Sequence, residues 1–269
     1  TPSILDPFRF YLHISGTGKR IYYEDAPAED FDVVLPRLSA ATAKYGAEVA
    51  AHFEWIGVPV LNRASSIENA RNKFRTLRIL AQHGLPVPPS FTTGSTRCLD
   101  RSVRETGGYP FIMKPFEGTH GNAILLLDTP RSLTSAVGAM CDLYRDYVIQ
   151  SFITESAGQD IRVIVVGGKF IAAMKRTAQE GEFRANVHRG GTGERIDLPG
   201  QYIDTALRAT EAMALEVAGV DLLQTGNGPI VLEVNPSPGF EEIEAVTGIK
   251  VAEAIIAFAV EYCQTRKSK

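Results

Sequence analysis

The chain has 269 residues, 44% hydrophobic and 22% charged, enough to bury one large core or two to three smaller ones. Lys and Arg number 28 against 31 Asp and Glu, and the net charge of −3 argues against a general nucleic-acid binder, which needs a basic surface. No run reaches the roughly 18–20 apolar residues of a membrane span, and the sequence shows no charged-then-apolar leader, although the start at Thr1 rather than Met suggests that an upstream segment is missing.

Taken in chain order, Asp32-Val33-Val34-Leu35 ends at Pro36 and reads as a buried strand. Thr42 to Ile56 reads as a helix and Pro59-Val60-Leu61 as a second short strand, an order that predicts a small parallel α/β unit. Ser65 or Ser66 can cap a second helix running to about His83, where Gly84 stops it. The stretch Gly84-Leu85-Pro86-Val87-Pro88-Pro89 cannot be helical and is a candidate boundary. Beyond it, Pro110 to Met113 is an apolar strand closing on Lys114, and Ile124 to Leu127 follows a loop containing Gly118 and Gly121. A helix is expected over Pro130 to Tyr144 and a strand over Tyr147 to Ile153. Ile161–Val166 and Lys169–Met174 flank Gly167-Gly168, a two-residue hairpin signal. A helix from about Gln201 to Val217 precedes a second hairpin, Val220–Gln224 and Ile230–Val234, turning at Gly226-Asn227-Gly228; Val251 to about Arg266 repeats apolar residues at helical spacing.

The second hairpin carries the sharpest chemistry. Glu233 and Asn235 are two apart and so share a strand face; with a turn centred on Asn227, Asp221 lies opposite Glu233. Two facing carboxylates repel, and a divalent cation between them removes the conflict; a solvated acidic patch is the alternative. Oxygen-only ligands on a rigid sheet suit Mg²⁺ or Mn²⁺. Lys114, at the end of an apolar run, is expected to be partly buried and to need an anion. The loop Glu117-Gly118-Thr119-His120-Gly121-Asn122 can turn N–H groups towards phosphate, or can be a plain turn. It has neither the Walker pattern nor GxGxxG. Asp160 is a candidate for ribose hydroxyls, though a cross-strand pair with Lys175 explains it as well. The basic loop Phe183 to Gly191 can hold carboxylate or phosphate through arginine forks, or can simply be solvated. Lys73, among Arg71, Arg75 and Arg78, reads most simply as part of a solvated face. Cys98, Cys141 and Cys263 show no CxxC spacing, which argues against a disulfide framework or zinc site and for a reducing cytoplasm.

In order along the chain, these positions resemble an ATP-grasp enzyme of the RimK type, the ribosomal protein S6–glutamate ligase family. The matching stretches are Ala70-Arg71-Asn72-Lys73, Lys114 to Gly121, Gly158-Gln159-Asp160-Ile161-Arg162, Glu180 to Gly191, Ala218-Gly219-Val220-Asp221 and Glu233-Val234-Asn235-Pro236-Ser237-Pro238-Gly239. The resemblance implies an α/β protein made of α+β subdomains: an ATP-grasp domain over residues 65–269, with a lid at about 92–149, after an incomplete parallel α/β pre-ATP-grasp domain at 1–64. It implies Lys73 and Lys114 on the phosphates and Glu117, Gly118, Thr119 and Gly121 in the lid loop. Ser151 and Phe152 stand at the adenine hinge, Asp160 at the ribose, and Arg184 and Asn186 at the phosphates. Asp221, Glu233 and Asn235 would bind Mg²⁺ or Mn²⁺, as two ions. Two departures stand out: Ser151 replaces the usual Glu, and Ala123 replaces a glycine where positive φ suits Ala poorly.

The implied reaction is carboxylate activation by ATP to an acyl phosphate, then amide formation. Lys114 is assigned to phosphate charge, Arg176 to the developing oxyanion, and Arg189, with Arg37, to substrate carboxylates. Implied partners are L-glutamate and a protein or peptide C-terminus such as that of ribosomal protein S6, in a cytoplasmic homo-oligomer that binds neither membrane nor nucleic acid. A lysine-biosynthesis carrier ligase and a cofactor-glutamylating enzyme are alternatives within the class. A nucleotide-binding regulator without turnover and a ribosome-binding module lie outside it.

Overall fold

The computed structural model describes residues 2–16, 18–118, 123–143, 145–182 and 190–267. The chain opens with a three-stranded antiparallel sheet, β1 (Phe10–Ser15), β2 (Gly18–Tyr23) and β3 (Ala26–Pro27). Its alternation puts Phe10 and Ile21 on one face, where they pack against Val49 and Phe53 of α1 (Ala43–Ile56). The expected strands at Asp32 and Pro59 reduce to one parallel bridge, Val34 to Val60. Pro36 and Pro59, which lack N–H donors, flank that bridge and keep it from growing into a ladder.

The expected single helix after Ser65 is two. α2 (Ala64–Arg71) and α3 (Lys73–Gln82) are separated by Asn72, whose extended backbone ends one and whose side-chain oxygen accepts from the Arg75 N–H at 2.9 Å to cap the next. Ser66 does not cap; it is buried and donates to the Ala214 carbonyl at 2.8 Å.

A four-stranded sheet follows, ordered β4 (Ser90–Phe91), β7 (Tyr147–Ser151), β5 (Phe111–Pro115) and β6 (Leu125–Leu127), with α4 (Leu99–Glu105) and α5 (Pro130–Asp142). Phe111, Leu133, Val137 and Ile149 fill its core. The largest sheet runs β10 (Thr192–Arg195), β9 (Lys169–Thr177), β8 (Gln159–Val166), β11 (Val217–Thr225) and β12 (Gly228–Asn235). Ile161, Val163, Val165, Val220 and Leu222 face α6 (Gly200–Ala212), while Ile164 and Met174 face α7 (Glu241–Thr247) and α8 (Val251–Lys267). Both faces are covered, so the middles of β8, β9 and β11 are apolar, and Asp160, Arg162, Arg176 and Asp221 stand out as charges on those strands that are buried or nearly so. α6 stops at Ala212 rather than Val217, because Ala214 adopts φ 51° and turns the chain into β11. Among the described residues no helix is long and apolar enough to cross a membrane.

Candidate functional site

The site is built on one face of the largest sheet by strand alternation. β8 presents Asp160 and Arg162, β9 presents Arg176, β11 presents Asp221, and β12 presents Glu233 and Asn235. Asp221 lies opposite Glu233, as expected, but the hairpin reaches that register differently. Its turn is the two-residue Gly226-Asn227, which alone would pair Asp221 with Leu232; a bulge between Asp221 and Leu222 restores the pairing. The first hairpin carries a similar bulge between Ile164 and Val165. There it moves the partner of Asp160 from Lys175, which a plain two-residue turn would supply, to Arg176. The alternative pairing of Asp160 with Lys175 is therefore corrected, and Lys175 instead lies 3.9 Å from Glu194.

Four charges form a largely buried chain, Asp160–Arg176–Asp221–Arg162. Arg176 holds Asp160 bidentately, Nε to Oδ1 at 2.6 Å and Nη2 to Oδ2 at 2.7 Å, and reaches Asp221 Oδ2 at 2.9 Å. Arg162 holds Asp221 bidentately at 2.8 Å on each oxygen. Two cations and two anions cancel, which lets the group sit in the interior. Burial pushes the Asp221 carboxyl up, but the charges and donors of Arg162 and Arg176 outweigh it and hold it at about 2. Burial raises the Asp160 carboxyl, with Arg176 opposing. Burial would lower Arg176, but Asp221 and Asp160 together raise it. The charge conflict inferred between Asp221 and Glu233 is thus already relieved on the Asp221 side by arginines, a role the spacing of Arg162 did not reveal.

Lys114 is 5% exposed on β5 and donates to Gln150 Oε1 at 3.0 Å. Burial pushes its ammonium down to about 8, with Lys73 adding to the fall and Glu233 and Asp221 resisting it. Glu233 and Asp221 are thus the anionic groups near enough to act on the Lys114 ammonium, and Lys73 the cationic one. Gln150 was missed by sequence reasoning; its signal is a polar side chain directly after the apolar run Tyr147 to Ile149 of β7. Lys73, half-buried, is tied to the end of β5: its Nζ donates to the Gly118 carbonyl at 2.8 Å and its N–H to the Phe116 carbonyl at 2.9 Å. Glu117 is exposed beside them. The Ser151 and Phe152 N–H groups donate to the Pro89 and Pro110 carbonyls, and Ser151 Oγ to the Thr106 carbonyl at 2.8 Å. Arg37 donates to the Pro238 carbonyl and stacks 5.1 Å from the Phe240 ring, a structural use of the guanidinium. Thr119, Gly121, Arg184, Asn186 and Arg189 lie outside the described residues.

A metal ion fits the donor chemistry. Among the described residues no group of three His, Cys, Asp or Glu gathers, so two carboxylates and an amide are the available set. Glu233 accepts no hydrogen bond among the described residues, and Asn235 Oδ1 is oriented by the Ser237 N–H at 2.9 Å. Hard oxygens of this kind, with substrate phosphates completing the shell, suit Mg²⁺.

A family model described as the RimK-like ATP-grasp domain matches residues 70–259, and one described as the RimK pre-ATP-grasp domain matches residues 1–67. A relative in Syntrophotalea carbinolica, named a probable alpha-L-glutamate ligase, is 40% identical over 266 residues, covering 99% of this chain and 88% of the relative. The crystal structure of a RimK domain ATP-grasp protein from Sphaerobacter thermophilus superposes with a TM-score of 0.68 at 26% identity, over 87% of this chain and 84% of that one. The ATP-bound D-alanine–D-alanine ligase of Bacillus anthracis shares the fold, with a TM-score of 0.68 at 20% identity over 88% and 82% of the two chains. The family matches cover both halves of the chain and the relative nearly its whole length: the chain belongs to the RimK-like ATP-grasp proteins and is an ATP-dependent ligase.

Proposed function

We propose that the chain joins a carboxylate to the amine of L-glutamate through an acyl phosphate, with a peptide or protein C-terminus as acceptor. The observation that carries this is Asp221 opposite Glu233 on β11 and β12, with α3, which Lys73 opens, packed against β12 and against β7, the strand that pairs with the Lys114 strand; lysines and carboxylates so placed suit a polyphosphate and its cation. The name of the 40%-identical relative supports L-glutamate, and the C-terminus of ribosomal protein S6 is the specific acceptor we favour.

In the first step an acceptor carboxylate oxygen attacks the γ-phosphorus, the bond to the β-phosphate oxygen breaks, and ADP leaves. The amine of glutamate then attacks the acyl carbon, phosphate departs, and the amine sheds a proton. Such transfer needs alignment and charge neutralisation rather than a protein nucleophile. Lys114 and Lys73 are assigned to phosphate charge, as are Glu117, Gly118, Thr119 and Gly121 of the lid loop and Arg184 and Asn186. Ser151 and Phe152 border the base and Asp160 the ribose. Asp221, Glu233 and Asn235 would hold Mg²⁺, as two ions, supplying Lewis-acid neutralisation of the phosphates. Arg176 is assigned to the developing oxyanion, which requires it to give up one of its carboxylate bonds. Arg189 is assigned to substrate carboxylates. We assign residues 1–64 to a pre-ATP-grasp module and 65–269 to the ATP-grasp body, with its lid at about 92–149, acting as a cytoplasmic homo-oligomer.

The test measures ADP release with Mg-ATP across an amino-acid panel, with and without peptides ending in glutamate. Release that requires both glutamate and peptide is expected. Release with glutamate alone would indicate free polyglutamate synthesis, and indifference to every amino acid would indicate a regulator.

A further inference from the structure

Asn62, between the Val60 bridge and α2, is 1% exposed and uses its whole amide. Its Nδ2 donates to the carbonyls of Val217 at 2.7 Å and Pro236 at 2.9 Å; its Oδ1 accepts from the N–H groups of Glu216 at 2.6 Å and Val217 at 2.9 Å. Two donors and two acceptors are thereby filled, which fixes the amide's orientation. One end of this rivet grips the start of β11, which carries Asp221. The other grips the residue directly after Asn235.

The segment Pro236 to Gly239 is pinned from the same side by other groups. Arg37 donates to the Pro238 carbonyl, Ser237 Oγ accepts from the Leu38 N–H at 3.3 Å and donates to the Pro36 carbonyl at 3.4 Å. Gly219, which pairs with Asn235, leaves the space that Pro238 occupies: a Cβ there would stand 2.7 Å from Pro238 Cβ. Without these ties the end of β12 is a strand terminus, the part of a sheet that frays first.

We propose that Asn62 is a positioning residue for the divalent-cation site, holding Asn235 and Asp221 in register from the N-terminal module; this rests on the metal role proposed above. Groups that orient metal ligands typically contribute 10–100-fold to affinity. The probe is Mn²⁺ with ADP, its free fraction read by EPR on the full chain. N62A is expected to weaken Mn²⁺ at least about tenfold, and R37M, which removes a different tie to the same segment, to weaken it in the same direction. S66A removes a different buried bond, from α2 to the Ala214 carbonyl just before β11, that does not reach the segment, and should leave Mn²⁺ affinity unchanged. A folded N62A protein binding Mn²⁺ like the wild type would overturn the proposal, as would an S66A loss equal to that of N62A. If N62A does not fold, R37M decides: unchanged affinity overturns the proposal and weakened affinity supports it. Failure of the metal role itself has a separate signature, Mn²⁺ affinity unmoved by E233A and N235A, and it takes the proposal with it.

Discussion

Lys114 shows how burial changes the chemistry of a common side chain. Its ammonium is buried and pushed down to about 8, so it begins to lose its proton near physiological pH. Because its folded value lies below the ordinary 10.5, the unfolded chain holds more protons between about pH 8 and 10.5. Burying the charge therefore costs stability below pH 8, and that cost is relieved as pH rises through the window. Phosphates arriving beside Lys114 favour its charged form. Nucleotide binding at pH 8.5 is expected to take up a fraction of a proton, seen by calorimetry as a binding enthalpy that varies with the ionisation enthalpy of the buffer. An enthalpy independent of the buffer would contradict the placement of Lys114 on phosphate. Its burial was legible from the apolar run it closes; Gln150, its partner, was not, because the pairing of β5 with β7 joins residues 36 apart in sequence. Ala123 was legible too: it adopts φ 57°, the conformation expected of the glycine it replaces.

At the scale of elements, the two hairpins decide which charges meet. Sequence alone places Asp221 opposite Glu233 only by assuming a three-residue turn. The same pairing arises from a two-residue turn and one extra residue in the ladder. In β8–β9 an equivalent bulge brings Arg176, not Lys175, to Asp160. A bulge leaves little trace in sequence, since it depends on which backbone group is left out of the ladder. Its consequence here is the network in which Arg176, 4% exposed, joins Asp160 to Asp221. Removing one member strands a buried charge, so R176M is expected to lose about 3–5 kcal/mol. The double variant R176M/D160L should recover part of that loss, giving a coupling energy of roughly 1–3 kcal/mol in urea unfolding. Additive losses would show that the two side chains do not act as a pair. The break between α2 and α3 was likewise hidden, because Asn72 sits inside an otherwise helical pattern and reveals itself only by capping Arg75.

At the scale of the whole molecule, separate cores support the site from different sides. The first lies under β1 and β2 against α1, the second under the four-stranded sheet, and two more flank the largest sheet. Most of the second half of this plan was legible from its glycine turns and apolar runs. The N-terminal hairpin was not; the alternation of Phe10 and Leu12 with Ile21 and Tyr23 is its signal, spread over fourteen residues that also carry charge. Nor did sequence suggest that the N-terminal module reaches the carboxylate strands, through Asn62 and Arg37, over separations of 155 to 201 residues. On the proposed reading, the decisive event is transfer of the γ-phosphoryl group to a carboxylate oxygen. An acceptor peptide labelled with ¹⁸O in its C-terminal carboxylate tests this directly, by mass spectrometry of the phosphate released with ADP during ligation to glutamate. One labelled oxygen in each phosphate is expected, whereas unlabelled phosphate would contradict the acyl-phosphate route.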